Sequence, residues 1–322
     1  MSQHAPTRHE PAVAGKFVSG FVTIIGRPNA GKSTLLNAMA GGKLAIVSSK
    51  PQTTRTSVQA VVTSPHSQIV FIDTPGIHDA PSLLNRRMME TVRAALQERD
   101  VLLFVADCLT AVSDDDRQAV DLIRGVESPV LLVLNKIDRL DDKRQLLPRI
   151  EQYQSLYNFA ESFPISAAKN EGLDRLRESI VARLPEGPQY FPSDYLTDQP
   201  ERFLAAELIR EKILRETRQE VPHSIAVLVE NWEDTPKMIR IAASIYVERA
   251  GQKGIVIGAK GAMLKTIGTS ARIEIEKLVG RKVFLELFVK VRPDWRQSPE
   301  FLNAIDWRSE SGTELETDLE NR

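Results

Sequence analysis

An α/β domain on a mostly parallel sheet with helices on both faces, followed by a smaller α+β module, is the fold class this sequence predicts. Three observations predict it. First, short runs rich in Val, Ile and Leu alternate with helical patterns through the first 185 residues. Strands buried on both faces read as such unbroken apolar runs, and helices between them give a parallel sheet. Second, Pro185, Gly187, Pro188, Pro192 and Pro200 interrupt this rhythm, with three aromatics among them, and the order of elements changes afterwards. Third, charge divides the 322-residue chain. Residues 1–200 hold 22 basic and 23 acidic side chains, residues 201–296 hold 18 and 13, and residues 297–322 hold 2 and 7. A basic block before an acidic tail points to a second domain with an anionic partner.

The elements follow in order. Strands are expected at residues 21–25, 58–63, 68–73, 101–107, 130–134 and 163–166, where β-branched and apolar residues run together. The turn-like Ser64-Pro65-His66 separates the second from the third. Helices are expected at residues 33–40, 84–96, 115–124, 143–153 and 173–184. In the second module the reading is a helix over 201–218, strands over 224–230 and 239–247, a glycine loop over 254–261, a helix over 262–279 and a strand over 282–291. The boundaries are then a flexible extension (1–16), a first domain (17–185), an ordered linker (186–200), a second domain (201–296) and a mobile acidic tail (297–322).

Composition excludes several classes. Apolar residues make up 42% and charged residues 26%, so a folded core is expected. The formal net charge of -1 rules out a uniformly basic nucleic-acid coat. No apolar run approaches the roughly 20 residues of a membrane span, and residues 1–16 have no apolar stretch of the kind a secretory signal carries. The single Cys108 excludes an intramolecular disulfide or a Cys-rich zinc site and reads as a buried hydrophobe. The five histidines lack metal spacing, and Trp232, Trp295 and Trp307 read as packing residues. A soluble, intracellular, monomeric protein is expected.

The strongest motif is Gly26-Arg27-Pro28-Asn29-Ala30-Gly31-Lys32-Ser33, followed by Thr34. It matches G-x-x-x-x-G-K-[ST] between an apolar strand and a helix. Such a loop points successive N–H groups at phosphate oxygens, and the helix N-terminus adds positive potential. Lys32 is placed for the β- and γ-phosphates and Ser33 for Mg²⁺. Asp73-Thr74-Pro75-Gly76 ends the third strand, where the acid can hold Mg²⁺ through water and the Gly76 N–H can meet a γ-phosphate. Asn135-Lys136-Ile137-Asp138 ends the fifth. A carboxylate at Asp138 can accept hydrogen bonds from N1–H and the 2-amino group of guanine, a donor pair adenine lacks. Ser166-Ala167-Ala168 can cover the base edge. All stand at strand C-termini, where open α/β sheets bind ligands.

Hydrolysis requires a metal-ordered loop and a positioned water. Thr53-Thr54-Arg55 lies where a switch loop is expected. Thr54 is the preferred loop hydroxyl for Mg²⁺ and Thr53 the alternative. Lys32, Thr54 and Gly76 are the expected catalytic groups. Ile77 occupies the position of the water-orienting glutamine of Ras-like GTPases. An alkyl chain cannot orient water, so turnover should be slow or use another group. Asn29 could ligate a monovalent cation such as K⁺, or could simply form the turn.

In the second module, Gly258-Ala259-Lys260-Gly261 follows Ile255-Val256-Ile257 and precedes a helix. A Gly-x-x-Gly turn admits close approach of a nucleic-acid backbone, and Lys253, Lys260, Lys265 and Arg272 surround it with positive charge.

Together these residues, with Pro51-Gln52-Thr53-Thr54-Arg55 and Ile77-His78, resemble the Era family of bacterial ribosome-assembly GTPases over about residues 17–296. The resemblance implies a P-loop GTPase domain followed by a KH domain of the bacterial, type II topology. It implies a GTP-hydrolysing switch with Mg²⁺ and GTP or GDP, binding near the 3′ end of 16S ribosomal RNA on the 30S subunit. It also implies a cytoplasmic location with some peripheral inner-membrane association. The extension 1–16 and the acidic tail depart from the usual pattern. Two rival readings stand beside it: an RNA-binding scaffold whose nucleotide site barely turns over, and a membrane-associated signalling GTPase whose basic domain meets anionic lipid.

Overall fold

A computed structural model describes residues 16–50, 52–77, 82–97, 99–217 and 221–308. The extension up to residue 15, the tail from 309, Pro51 and His78 lie outside the described residues. The first sheet comprises β1 (Val18–Ile25), β2 (Val58–Ser64), β3 (Ser67–Asp73), β4 (Val101–Asp107), β5 (Val130–Asn135) and β6 (Glu161–Pro164) in the order β2-β3-β1-β4-β5-β6. β2 and β3 form an antiparallel hairpin and every other pairing is parallel. On one face α1 (Lys32–Ala40) and α5 (Leu173–Val181) cover Val22 and Ile24 with Leu35, Leu36, Leu176 and Ile180. On the other, α2 (Leu83–Ala95), α3 (Asp114–Ile123) and α4 (Leu146–Gln154) cover Ile25 and Phe104 with Val92, Ile123 and Tyr153. Burial on both faces is why these strands carry no polar alternation. α3 starts where Ser113 and Asp116 form a capping box.

The second sheet runs β7 (Ala226–Asp234), β8 (Ile239–Val247) and β9 (Val283–Val291), with β7 antiparallel and β9 parallel to β8. One face carries α6 (Glu201–Glu216), α7 (Ala250–Ile257) and α8 (Ala262–Val279) over a core that includes Ile209, Ile241, Val256, Ile267 and Ile275. The order α-β-β-α-α-β keeps the expected KH arrangement but has a helix, α7, where the sequence reading placed a glycine loop.

Two expectations need correction. Residues 254–257 are helical, within α7, so the glycine turn is shorter than expected. Gln252 Oε1 accepts the N–H groups of Glu248 and Arg249 at the start of that helix, and Val256 is fully buried beneath it. Capping and packing outweigh the cost of Gly251 and Gly254. The segment after 296 is not acidic tail from its first residue. Ser298 caps α9 (Pro299–Ile305), whose Phe301 and Leu302 pack with Trp295 and with Leu84 and Met88 of α2. The segment 186–200 lies along the β2–β3 hairpin, where Gln68 donates to Phe191 O and Val61 N to Leu196 O.

Candidate nucleotide and nucleic-acid sites

A cleft opens above the C-terminal ends of β1 and β3 and is lined by Pro28, Asn29, Gly31, Lys32, Ser33, Thr34, Thr54 and Gly76. Gly31 has φ +100°, and a Cβ there would stand 2.2 Å from Asn135 Nδ2. The loop can close over the fifth strand only with glycine at that position. Lys32 is buried, and its Nζ donates to Gly26 O (2.9 Å) and Arg27 O (3.1 Å). Burial pulls its ammonium down to about 8, against the attraction of Asp73.

Three oxygens converge beside it. Ser33 Oγ lies 2.8 Å from Thr54 Oγ1 and donates to Asp73 Oδ2 at 2.7 Å, while Thr54 Oγ1 is 3.4 Å from the same oxygen. Asp73 Oδ1 is buried and has no hydrogen-bond partner among the described residues. Burial pushes this carboxyl up to about 6, with Lys32 opposing. Two hydroxyls and an under-coordinated buried carboxylate fit the oxygen-only, few-ligand preference of Mg²⁺. Thr53 turns away, its hydroxyl donating to Lys50 O at 2.7 Å, so Thr54 rather than its neighbour faces the cluster.

The Asn135–Asp138 tetrad is tied to the Gly26–Ser33 loop and to Ser166 and Ala167. Asn135 Nδ2 donates to Ala30 O (3.0 Å), and its Oδ1 accepts from Ala167 N (3.0 Å). Lys136 Nζ donates to Asn29 O (2.6 Å) and Asp107 Oδ2 (2.7 Å). Ser166 Oγ donates to Asp138 Oδ1 at 2.6 Å, which aims the carboxylate, and Ala168 is exposed beside it.

Some motif side chains turn away from the cleft. The Arg27 guanidinium pairs with Asp116 (3.3 Å) and donates to Thr110 (2.7 Å). Thr74 Oγ1 donates to Ile24 O at 2.8 Å, and Pro75 is buried with it. These side chains brace the loops. Ile77 is 4% exposed and packs among Ile25, Val92 and Phe104. Asn29 is exposed with φ +60°, the left-handed turn geometry. Cys108 is buried and its thiol is pushed up to about 11 by burial. Trp295 is a packing residue, fully buried with Nε1 donating to Ser224 O. Sequence reasoning missed Ile46, Val47, Ser48, Lys50 and Gln52 on the cleft wall, because nothing in an irregular loop announces which side it presents. Asp107 was legible in principle, as an acid ending a parallel strand.

In the second domain, Gly258 has φ +72°, and a Cβ there would lie 2.9 Å from Met263 N. Ala259 and Lys260 form the exposed tip and Gly261 caps α8. Lys253, Lys260 and Lys265 make no ion pair among the described residues. Arg272 differs, since it pairs with Glu276 at 3.0 Å. Beside the turn, Ile255 is 45% exposed and Ile257, Met263 and Leu264 are half-buried.

Residues 21–136 match the family described as 50S ribosome-binding GTPase, and residues 220–296 match the KH domain family. Fold, cleft and matches define a P-loop GTPase carrying a KH domain. GTPase Era of Geobacter metallireducens is 51% identical over 293 residues, 90% of this chain and 98% of that protein. GTPase Era of Syntrophus aciditrophicus is 50% identical over 293 residues, 90% and 95% of the two chains. This chain belongs to the GTPase Era family and hydrolyses GTP. Solved structures agree. A point variant of Aquifex aeolicus Era bound to GDP·AlF4⁻ superposes with a TM-score of 0.87 at 42% identity, over 90% of this chain and 99% of that one. Era in complex with MgGDPNP and nucleotides 1506–1542 of 16S ribosomal RNA gives 0.87 and 42%, over 90% and 98%.

Proposed function

We propose that this chain is a GTP-driven switch that binds small-subunit ribosomal RNA through its KH domain and assists 30S assembly. The observation that carries this reading is the pairing, in one chain, of the Ser33–Thr54–Asp73 cluster with an exposed, unpaired-lysine Gly-x-x-Gly turn. The Era relative bound to 16S nucleotides supports the choice of RNA. The broad GTPase family is described by the 50S particle, so the small-subunit assignment rests on that complex.

In this reading Gly26–Ser33 N–H groups and Lys32 hold the β- and γ-phosphates, and Asp138 selects guanine. Ser33 and Thr54 ligate Mg²⁺ directly and Asp73 through water. Bound Mg²⁺ neutralises charge developing on the transferred phosphoryl group. Gly76 N–H meets the γ-phosphate, and Lys32, Thr54 and Gly76 are the catalytic groups. Ile77 is committed to the core and orients no water; Asn29, exposed in the phosphate loop, would hold a K⁺ ion, which would add positive charge there without replacing the water-orienting group. Lys253, Lys260 and Lys265 contact the RNA backbone around Gly258 and Gly261, with Arg272 contributing less, because Glu276 neutralises it. The half-buried apolar residues beside the turn offer a floor for bases. The functional units are the G domain (17–185), linker (186–200) and KH domain (201–296). Among the described residues no helix is long and apolar enough to cross a membrane. A cytoplasmic monomer, visiting the inner membrane only peripherally, is the location we propose.

Crosslinking in cells, followed by sequencing of the bound RNA, tests the reading. Reads should concentrate near the 3′ end of 16S RNA and fall when Ala259 and Lys260 are both replaced by Asp. Reads spread evenly over 23S RNA, or an unchanged profile in the double variant, would overturn it.

A further inference from the structure

The loop that carries Thr54 is gripped from the second domain. Arg210 of α6 donates through Nη1 to Gln52 O (3.3 Å) and through Nη2 to Thr53 O, the two carbonyls immediately before Thr54. Its guanidinium is itself fixed. It is 2% exposed, and Glu207, one turn earlier, accepts from Nε at 2.7 Å and from Nη2 at 2.6 Å. The next residue, Glu211, holds the loop farther upstream: Oε1 accepts the Val47 N–H at 3.0 Å, and Oε2 accepts Lys43 at 2.6 Å and Lys212 at 2.9 Å. Ile46 is buried in the hydrophobic core of the second domain. Beyond Thr54, Arg55 donates to Ile225 O at 2.6 Å and lies over the Trp295 ring. Glu274 closes the network. It sits on α8, the helix that begins at the Gly-x-x-Gly turn, and shares both Lys43 and Lys212 with Glu211.

We propose that Arg210 and Glu211 are positioning residues for GTP hydrolysis, holding the backbone on the upstream side of Thr54 so that its hydroxyl stays beside Ser33 and Asp73. The second domain thereby completes the GTPase site in cis. A backbone carbonyl held by an immobilised guanidinium loses little further freedom when the loop orders, so more of the contact appears as GTP affinity. The effect is selective for the triphosphate. A loop hydroxyl that reaches a metal bound between β- and γ-phosphates contributes when the γ-phosphate is present and not when GDP is bound. Contacts that merely glue the domains together would shift thermal stability and leave the ratio of GTP to GDP affinity alone.

This inference rests on the assignment of Thr54 to the metal, so the experiment tests both. Binding of fluorescent GDP and of a non-hydrolysable GTP analogue is measured on the full chain while Mg²⁺ is titrated. Single-turnover hydrolysis is followed in parallel. The variants are Thr54→Ala, Arg210→Ala, Arg210→Lys and Glu211→Gln. Retained GDP affinity reports that each variant is folded. Arg210→Ala should lower the ratio of GTP-analogue to GDP affinity about tenfold, as loss of a charge-assisted hydrogen bond does. It should raise the Mg²⁺ concentration needed and slow the single turnover. Arg210→Lys should recover part of the loss, and Glu211→Gln should lower the ratio less. An unchanged ratio in Arg210→Ala and Glu211→Gln, with a lowered one in Thr54→Ala, overturns the proposal and leaves Thr54 in place. An unchanged ratio in Thr54→Ala overturns both.

Discussion

The nucleotide cleft and the KH turn are both glycine loops leading into a helix, yet they are held in opposite ways. The cleft is assembled from distant pieces. Asn135 reaches Ala30 across 105 positions of sequence, Ser33 reaches Asp73 across 40, and Lys136 ties Asn29 to Asp107. The turn at Gly258 is made by neighbours, with Gly258 N–H on Gly254 O and Gly261 N–H on Gly258 O. Choosing one base from four requires several fixed groups aimed at one spot, and only a sheet edge collects them. Admitting a sugar-phosphate backbone requires only room and positive charge, which four consecutive residues supply. The cleft should therefore show steep, group-specific responses, and the turn should fail by charge or bulk with the rest of the molecule undisturbed.

The steepest response should come from Asp138→Asn. Guanine would lose its acceptor, and xanthosine triphosphate, with a 2-oxo group, would gain a donor. The GTP-to-xanthosine-triphosphate preference should shift on the order of 10⁴-fold. Competition binding measures it, and ATP rivalling GTP in the unsubstituted protein would remove the base-selection assignment.

At the turn, replacing Ala259 and Lys260 together by Asp sets two carboxylates against phosphates. Repulsion of about 1 kcal/mol per close pair even in water, with the loss of Lys260, should cut single-stranded RNA affinity at least about tenfold. GTP binding should stay intact, and affinity in the unsubstituted protein should fall with salt. If the two sites were not separable in this way, nucleotide affinity would fall together with RNA affinity.

The cleft should also carry a pH step. Asp73 is held up to about 6 by burial. Its charged form therefore costs the empty fold stability as pH rises through that value, and bound Mg²⁺ offsets that cost. Below it the proton competes with the metal, so Mg²⁺-dependent GTP affinity should weaken about tenfold between pH 7 and 5. Lys32, lowered only to about 8, stays charged across this window. Asp73→Asn should abolish the step, and its persistence would move the titrating group elsewhere.

The smallest effect concerns Asn29. Turnover should be a few-fold faster in K⁺ than in Na⁺ at equal ionic strength, by about the contribution of one partly exposed charge contact. Asn29→Ala should remove the difference. Equal rates in both salts would leave the water-positioning group to be sought in a partner.

Much of this molecule was legible in the chain. Unbroken apolar strands indicated the parallel sheet, and the spacing from Gly26 to Ser33 and from Asn135 to Asp138 marked the ligand edge. Such signals are local: a loop that must leave left-handed φ at Gly31, or a strand buried on both faces, constrains the residues that make it. Helix α9 was legible too, in Ser298 followed by Pro299, but the acidity of the following residues masked it. The helical state of residues 254–257 was less legible: the Gln252 cap is local, but what outweighs Gly251 and Gly254 is also Val256 meeting a core formed elsewhere.

What the sequence by itself determined was the chemistry available: a G-x-x-x-x-G-K-S loop, an acid at a strand end, an Asn-Lys-x-Asp tetrad, an alkyl chain where Ras-like GTPases carry glutamine, and a charged glycine turn. What only the tertiary structure decided was direction and partnership. It turned Thr54 toward Ser33 and Asp73 and Thr53 toward Lys50, buried Ile77 and drew Arg27 off to Asp116. It also set Arg210 and Glu211, which match no motif, against the backbone of the switch loop. The reason is physical. A residue's type fixes which bonds it can form, but which one forms depends on the groups that packing brings within about 3 Å, and those lie far away in the chain.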